Sequence, residues 1–201
     1  MDFAAKGQYI EWDEEEQKFY LCHKDTEEYL PEEKLKMIFR ECLTGIHYRS
    51  KKSFKNNLKH ILFLVHVNHI IHRDVKPQNI LFDENDHVKI ADFGQSILFE
   101  ETDTTNSAEG TYWFMAPELL DPNTNKGGVS GKPCDIWSLG VTFFVFAYLE
   151  VPFYADNYTE LLEKIKEGEL VFPEKREISD DLKNILRKML NRNAGERLTI
   201  E

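Results

Sequence analysis

From Ile136 to Leu149 the chain runs for fourteen residues without a charge and with apolar side chains predominating. At 3.6 residues per turn such a run is apolar on every face, so it must lie inside a core with other elements packed around it. It falls short of the roughly 20 residues that span a bilayer, so the expectation is a buried central helix and no membrane partner. The elements to surround it are legible nearby. Pro31 opens a segment with Glu32 and Glu33 in its first turn and Leu35, Ile38, Cys42 and Ile46 at spacings of three and four, which predicts an amphipathic helix. Similar apolar periodicity runs through Tyr158 to Lys166 and Ser179 to Leu190. Ile80 to Phe82 and Val88 to Ile90 flank the turn-forming Asp83-Glu84-Asn85-Asp86 and read as a hairpin. Glu11 to Lys18 reads as a short helix, and Asp92 to Glu118 as a long aperiodic loop of the kind that carries function.

Charge narrows the partners. Lys plus Arg number 25 against 36 Asp plus Glu, a formal balance of −11, and such a surface repels a polyanion, so no nucleic acid is expected. Cys22, Cys42 and Cys134 are far apart and lack CxxC spacing, which argues against a disulfide framework and a zinc site. His66, His69 and His72 have helical spacing, but no further ligands converge on them. Met1 to Lys18 is acidic and carries no secretory signal, so a cytoplasmic location is expected.

The chemistry lies in His72-Arg73-Asp74-Val75-Lys76-Pro77-Gln78-Asn79, followed by Asp92-Phe93-Gly94, Ala116-Pro117-Glu118 and Asp135-Ile136-Trp137-Ser138-Leu139-Gly140. In this order these segments resemble the catalytic loop, the metal-binding motif and the end of the activation segment of the eukaryotic protein kinases. Lys76, with Thr111 after Gly110, follows the serine/threonine pattern. Gly110 to Glu118, Ser130-Gly131-Lys132 and Phe172-Pro173 look like the calcium/calmodulin-dependent protein kinase kinases.

The resemblance implies ATP- and Mg²⁺-dependent phosphorylation of Ser or Thr on a protein substrate, among them another kinase, by the intact parent kinase in intracellular signalling, with this chain inactive without its small lobe. Asp74 would orient and deprotonate the hydroxyl, and Lys76 would meet the γ-phosphate. Asn79 and Asp92 would ligate the metal, with Leu81 beside the nucleotide. Arg73 would hold a phosphate on the activation segment, at Ser107 or alternatively at Thr102, Thr104 or Thr105. Thr111 belongs to the same regulatory region. His72 and Phe93 would pack together, Gly94 would supply turn freedom, Asp135 would be structural, and Glu118 would pair with Arg197. Gln78 departs from the Glu that many members selecting basic substrates carry.

The fold implied is the mainly α C-terminal lobe of a protein-kinase-like domain with a small β-hairpin, its N-terminal lobe absent. No Gly-rich phosphate loop, Val-Ala-Ile-Lys strand or helix with a partner Glu is found in the sequence. Residues 1–201 then form a partial kinase domain, from a hinge-like Met1-Asp2-Phe3 to just past Arg197, clamping ATP poorly. Residues 49–64 are an anomalous insertion: continued as helix they would rotate it by about 160° and lengthen it by about 24 Å. Translation of an unspliced intron is the reading for that segment. Alternatives to catalysis are a non-catalytic kinase-like interaction module and an inactive fragment.

Overall fold

The computed structural model describes residues 4–22, 28–43, 65–66, 68–99, 104–105, 112–121 and 128–200. Residues 49–64, Met1-Asp2-Phe3, Thr102, Ser107 and Thr111 lie outside them, as do the side chains of Thr104 and Thr105.

In chain order the described elements begin with strands β1 (Gly7–Gln8), β2 (Ile10–Asp13) and β3 (Lys18–Leu21), then helix α1 (Glu32–Leu43). Strand β4 (Ile70–Ile71), a 3-10 turn over Pro77–Asn79, and strands β5 (Ile80–Phe82), β6 (Val88–Ile90), β7 (Ile97–Leu98) and β8 (Thr104–Thr105) follow. A 3-10 turn over Tyr112–Phe114 leads to α2 (Pro117–Leu120), β9 (Val129–Ser130), α3 (Gly131–Tyr148), α4 (Tyr158–Glu167) and α5 (Asp180–Met189).

Helix α3 is the axis of the core: every residue from Cys134 to Tyr148 is buried, as the unbroken apolar run demands. It stops where Leu149 takes a left-handed φ of 56° and its N–H closes on the Val145 carbonyl at 2.8 Å. One flank receives α1, whose Leu35, Ile38, Phe39 and Cys42 are buried, with Phe39 stacked on Phe143 at 3.8 Å. Burying such a side chain stabilises by about 1.5–3 kcal/mol. α3 also meets α5, and Gly140 permits it: a Cβ there would stand 2.9 Å from Met189. Helix α5 carries Asp180 and Asp181 in its first turn and Arg187 and Lys188 in its last, matching the helix dipole at both ends.

The expectation of a mainly α body with one hairpin and an absent N-terminal lobe requires correction. Residues 7–21 form three strands, and β1 adds antiparallel to β5, making a β1-β5-β6 sheet with Gly7 opposite Phe82 and Ile80 opposite Ile90. Glu11 to Lys18 is not a helix. Ile10 pairs with Leu21 and Trp12 with Phe19 across a hairpin whose turn is closed by Asp13 Oδ1, which accepts from the Glu15 and Glu16 N–H groups at 2.9 Å each. Strand alternation, with Ile10 and Phe19 buried and the acidic residues outward, outweighs the helical propensity of the Glu run. Asp86, in the β5–β6 turn with φ 65°, binds Lys6 at 2.6 Å, Lys34 at 3.0 Å and the Tyr9 hydroxyl. Burial opposes its ionisation, yet these donors hold the carboxyl well below its ordinary range. That joins the N-terminal strands, the hairpin and α1 into one unit.

Candidate active site

The segment His72 to Asn79 hangs between β4 and β5, and helix α3 fixes it from beneath. Asp135, only 1% exposed, accepts from the His72 N–H at 2.9 Å and the Arg73 N–H at 2.8 Å, while His66 Nε2 lies 2.8 Å from the same carboxylate. Two backbone donors that no regular element could satisfy are thereby paired, and Arg73 is held at a left-handed φ of 67°. One turn and two turns beyond Cys134, a polar stripe continues along α3. Ser138 Oγ donates to the Phe114 carbonyl at 2.7 Å and Thr142 Oγ1 to the Val75 carbonyl at 3.4 Å. Sequence reasoning weighed His66 only as a metal ligand, and gave Ser138 and Thr142 no role of their own. The signal was there for the last two, since hydroxyls four residues apart on an otherwise apolar helix face form one line.

Within the loop, Asp74 is 8% exposed, and its Oδ2 meets Lys76 Nζ at 2.7 Å and Asn79 Nδ2 at 3.0 Å. Asn79 Nδ2 also donates to the Asp74 carbonyl at 2.8 Å. With its amide nitrogen committed to Asp74, the other polar atom of the Asn79 side chain is an acceptor oxygen. The Ala91 N–H donates to the Asn79 carbonyl at 2.9 Å, so the exit of the hairpin is tied to the loop and Asp92 follows directly. Asp92 is exposed, with φ 60° and Oδ1 accepting from the Gly94 N–H at 3.1 Å. The left-handed residue is therefore Asp92, not Gly94. Glycine is wanted at 94 because a Cβ there would come within 3.0 Å of the Asp92 carboxylate.

His72 is fully buried with Nε2 at 3.1 Å from the Ala91 carbonyl, and burial lowers its imidazole below the ordinary value. Phe93 meets the His72 ring edge-on at 4.8 Å but stays 43% exposed. Arg73 Nε donates to the Gln95 carbonyl. Leu81 lies half-buried in β5 between Gln8 and Lys89. Glu118 and Arg197 form a two-pronged ion pair at 2.7 and 3.0 Å, and Arg197 also lies over the Trp137 ring and donates to the Pro133 carbonyl at 2.7 Å. Cys134 stands 3.4 Å from Glu118; burial first, and that carboxylate second, push its thiol up. The side-chain oxygen of Asn79, beside the buried Asp74 and the Lys76 ammonium, and the exposed Asp92 carboxylate are hard oxygen donors of the kind that Mg²⁺ takes. No helix among the described residues is long and apolar enough to cross a membrane.

The profile of the family described as "Protein kinase domain" matches residues 8–201. That match takes in the N-terminal strands, which overturns the reading of an absent N-terminal lobe. The chain is 38% identical over 151 residues to Serine/threonine-protein kinase ppk34 of Schizosaccharomyces pombe, covering 75% of this chain and 41% of that protein. It is 39% identical over 177 residues to a Calcium/calmodulin-dependent protein kinase kinase of Caenorhabditis elegans, covering 87% of this chain and 29% of that protein. The chain thus spans well under half the length of these relatives. On these grounds the chain belongs to the protein kinase family, among the eukaryotic serine/threonine protein kinases.

Proposed function

We propose that this chain transfers the γ-phosphate of ATP to serine or threonine hydroxyls of a protein, with Mg²⁺ as cofactor. The observation that carries the reading is the Asp74–Lys76–Asn79 cluster, a buried carboxylate with an ammonium and an amide converging on one oxygen. Phosphoryl transfer asks a protein mainly for positioning and electrostatics. Asp74 orients the acceptor hydroxyl and takes its proton. Lys76 places a positive charge where phosphoryl oxygens gather negative charge. Asn79 and Asp92 hold the metal, with Leu81 against the nucleotide. When bound, Mg²⁺ neutralises charge on the phosphate oxygens. Arg73 receives a phosphate carried by the activation segment, at Ser107 or a neighbouring threonine. The likeness to a calcium/calmodulin-dependent protein kinase kinase supports a cytoplasmic signalling role in which the protein substrate is itself a kinase.

The test is incubation of the full chain with γ-labelled ATP, Mg²⁺ and a set of serine, threonine and tyrosine acceptor proteins. Label is expected on serine and threonine, stopped by chelation of Mg²⁺ and reduced by about 10²–10⁴ in Asp74→Asn. Incorporation that survives Asp74→Asn unchanged, or none under any condition, sinks the reading.

A further inference from the structure

The carboxylate of Asp86 joins the turn of the β5–β6 hairpin to two other parts of the molecule. Lys6, just before β1, reaches it at 2.6 Å, and Lys34, in the first turn of α1, at 3.0 Å, while the Tyr9 hydroxyl, between β1 and β2, donates to it. The Tyr9 ring stacks on Phe82 at 4.0 Å, and the Lys34 ammonium lies 5.0 Å from the first ring and 6.0 Å from the second. Asp86 stands at a left-handed φ of 65°, where glycine or asparagine would serve the turn as well. Ion pairs between partly exposed groups add little stability by themselves. What this cluster does add is geometry, since segments far apart in the chain converge on one carboxylate.

That geometry bears on the strand leading out of the buried loop. β5 is the middle strand of its sheet and begins at Ile80, directly after Asn79. Its β6 edge is anchored without Asp86: Glu41 of α1 accepts from the Val88 N–H at 2.8 Å and stands 3.0 Å from His87 Nδ1. The other edge is covered by β1, only two residues long, with Gln8 opposite Leu81 and the Lys6 N–H donating to the Phe82 carbonyl at 3.1 Å. So short a ladder holds weakly by its own hydrogen bonds. Lys6 and Tyr9 flank β1 on either side, and both are held by Asp86. β1 and β2 in turn lean on the 3-10 turn over Pro77–Asn79, so a shift of β1 reaches Asn79 from a second side. A three-residue strand spans about 10 Å, and a tilt at one end moves the other.

We infer that Asp86, with Lys6, Tyr9 and Lys34, is a positioning device for the nucleotide: by pinning β1 to the edge of β5 it holds Leu81 and Asn79 in place before Mg²⁺ and ATP arrive. The inference rests on the reading of Leu81 and Asn79 as nucleotide and metal contacts, and Asp86 acts through the two strands.

Binding of Mg²⁺-ATP to the full chain is measured by calorimetry, which returns the affinity and the fraction of competent molecules separately. Asp86→Gly, which keeps the left-handed turn, is expected to weaken affinity about tenfold with the competent fraction unchanged. Tyr9→Phe, which removes a hydroxyl alone, and Lys34→Met are each expected to weaken it about threefold. Lys34→Met is expected to add nothing to Asp86→Gly, because the two act through one carboxylate. Amide hydrogen exchange in Asp86→Gly is expected to quicken over residues 6–9 and 80–82 and to stay as it was in α3. Asn157→Ala, which removes the acceptor of the Glu160 N–H at the start of α4, controls for stability lost elsewhere and should leave affinity unchanged. Wild-type affinity in Asp86→Gly overturns the inference. So does a fall in the competent fraction with normal affinity in the remainder, which is what a purely structural role gives. Multiplying losses from Asp86→Gly and Lys34→Met overturn it too. A wild-type chain that binds no Mg²⁺-ATP removes the nucleotide reading and this inference with it; a wild-type chain that binds no better than Asp86→Gly removes the inference alone.

Discussion

The loop from His72 to Asn79 and the turn from Asp92 to Gly94 adjoin, yet they are held in opposite ways. The loop is buried and over-determined: Asp135 satisfies His66 and the N–H groups of His72 and Arg73, while Asp74 gathers Lys76 and Asn79. The turn is exposed and holds itself, through a left-handed Asp92 whose own carboxylate accepts the Gly94 N–H. A group that must meet a hydroxyl with correct geometry gains from being fixed before the substrate arrives. A ligand for a cation can wait on a solvent-facing turn, because the cation itself supplies the ordering force. Both segments carry the motif residues on which the proposed activity rests, but only the first is part of the core.

The comparison can be broken most easily at Asp135. Asp135→Ala leaves two backbone donors and His66 facing an apolar void and is expected to cost about 3–5 kcal/mol in urea unfolding. A loss under 1 kcal/mol, allowing for ~0.5 kcal/mol of extrapolation error, would mean the loop is not anchored through α3. Next is Glu118→Gln, which leaves the fully buried Arg197 guanidinium without its counter-charge; about 3 kcal/mol is expected, with the double variant Glu118→Gln and Arg197→Met recovering part of it.

A smaller effect should come from His72. Its folded value lies below that of the unfolded imidazole, near 6.5, because burial disfavours the cation. Between those two values the unfolded chain binds more protons, so this residue's contribution is full above about pH 6.5 and declines as pH falls through the window. Wild type should therefore lose more stability than His72→Gln on going from pH 8 to pH 5; parallel curves would contradict the assignment. The smallest change is expected from Asp92→Asn, within about 0.5 kcal/mol, since asparagine tolerates the left-handed backbone and keeps the acceptor for Gly94. Phosphoryl transfer should nonetheless fall steeply in that variant, separating stability from activity on the turn as they cannot be separated at Asp135.

Local pattern made much of this legible. The run Ile136 to Leu149 is the buried α3, the spacing of Leu35, Ile38 and Cys42 is α1, and Asp83 to Asp86 is the turn of the β5–β6 hairpin. The β2–β3 hairpin was not legible, since a run of glutamates favours helix locally and only the packing of Trp12 and Phe19 against Trp113 and the core makes two strands the better solution. The same blind spot covered the strand pairing of Gly7 and Gln8 with a segment more than seventy residues away.

By itself the sequence determined which residue types stand in the motif segments and that one helix must be buried, because motif order and apolar periodicity are properties of neighbours along the chain. The tertiary structure alone decided that Asp135 carries the loop, that Ser138 and Thr142 pin Phe114 and Val75, and that Asp86 gathers Lys6, Lys34 and Tyr9. Those are pairings between groups distant in sequence, and their partners are fixed only when the core closes and every buried donor must find an acceptor.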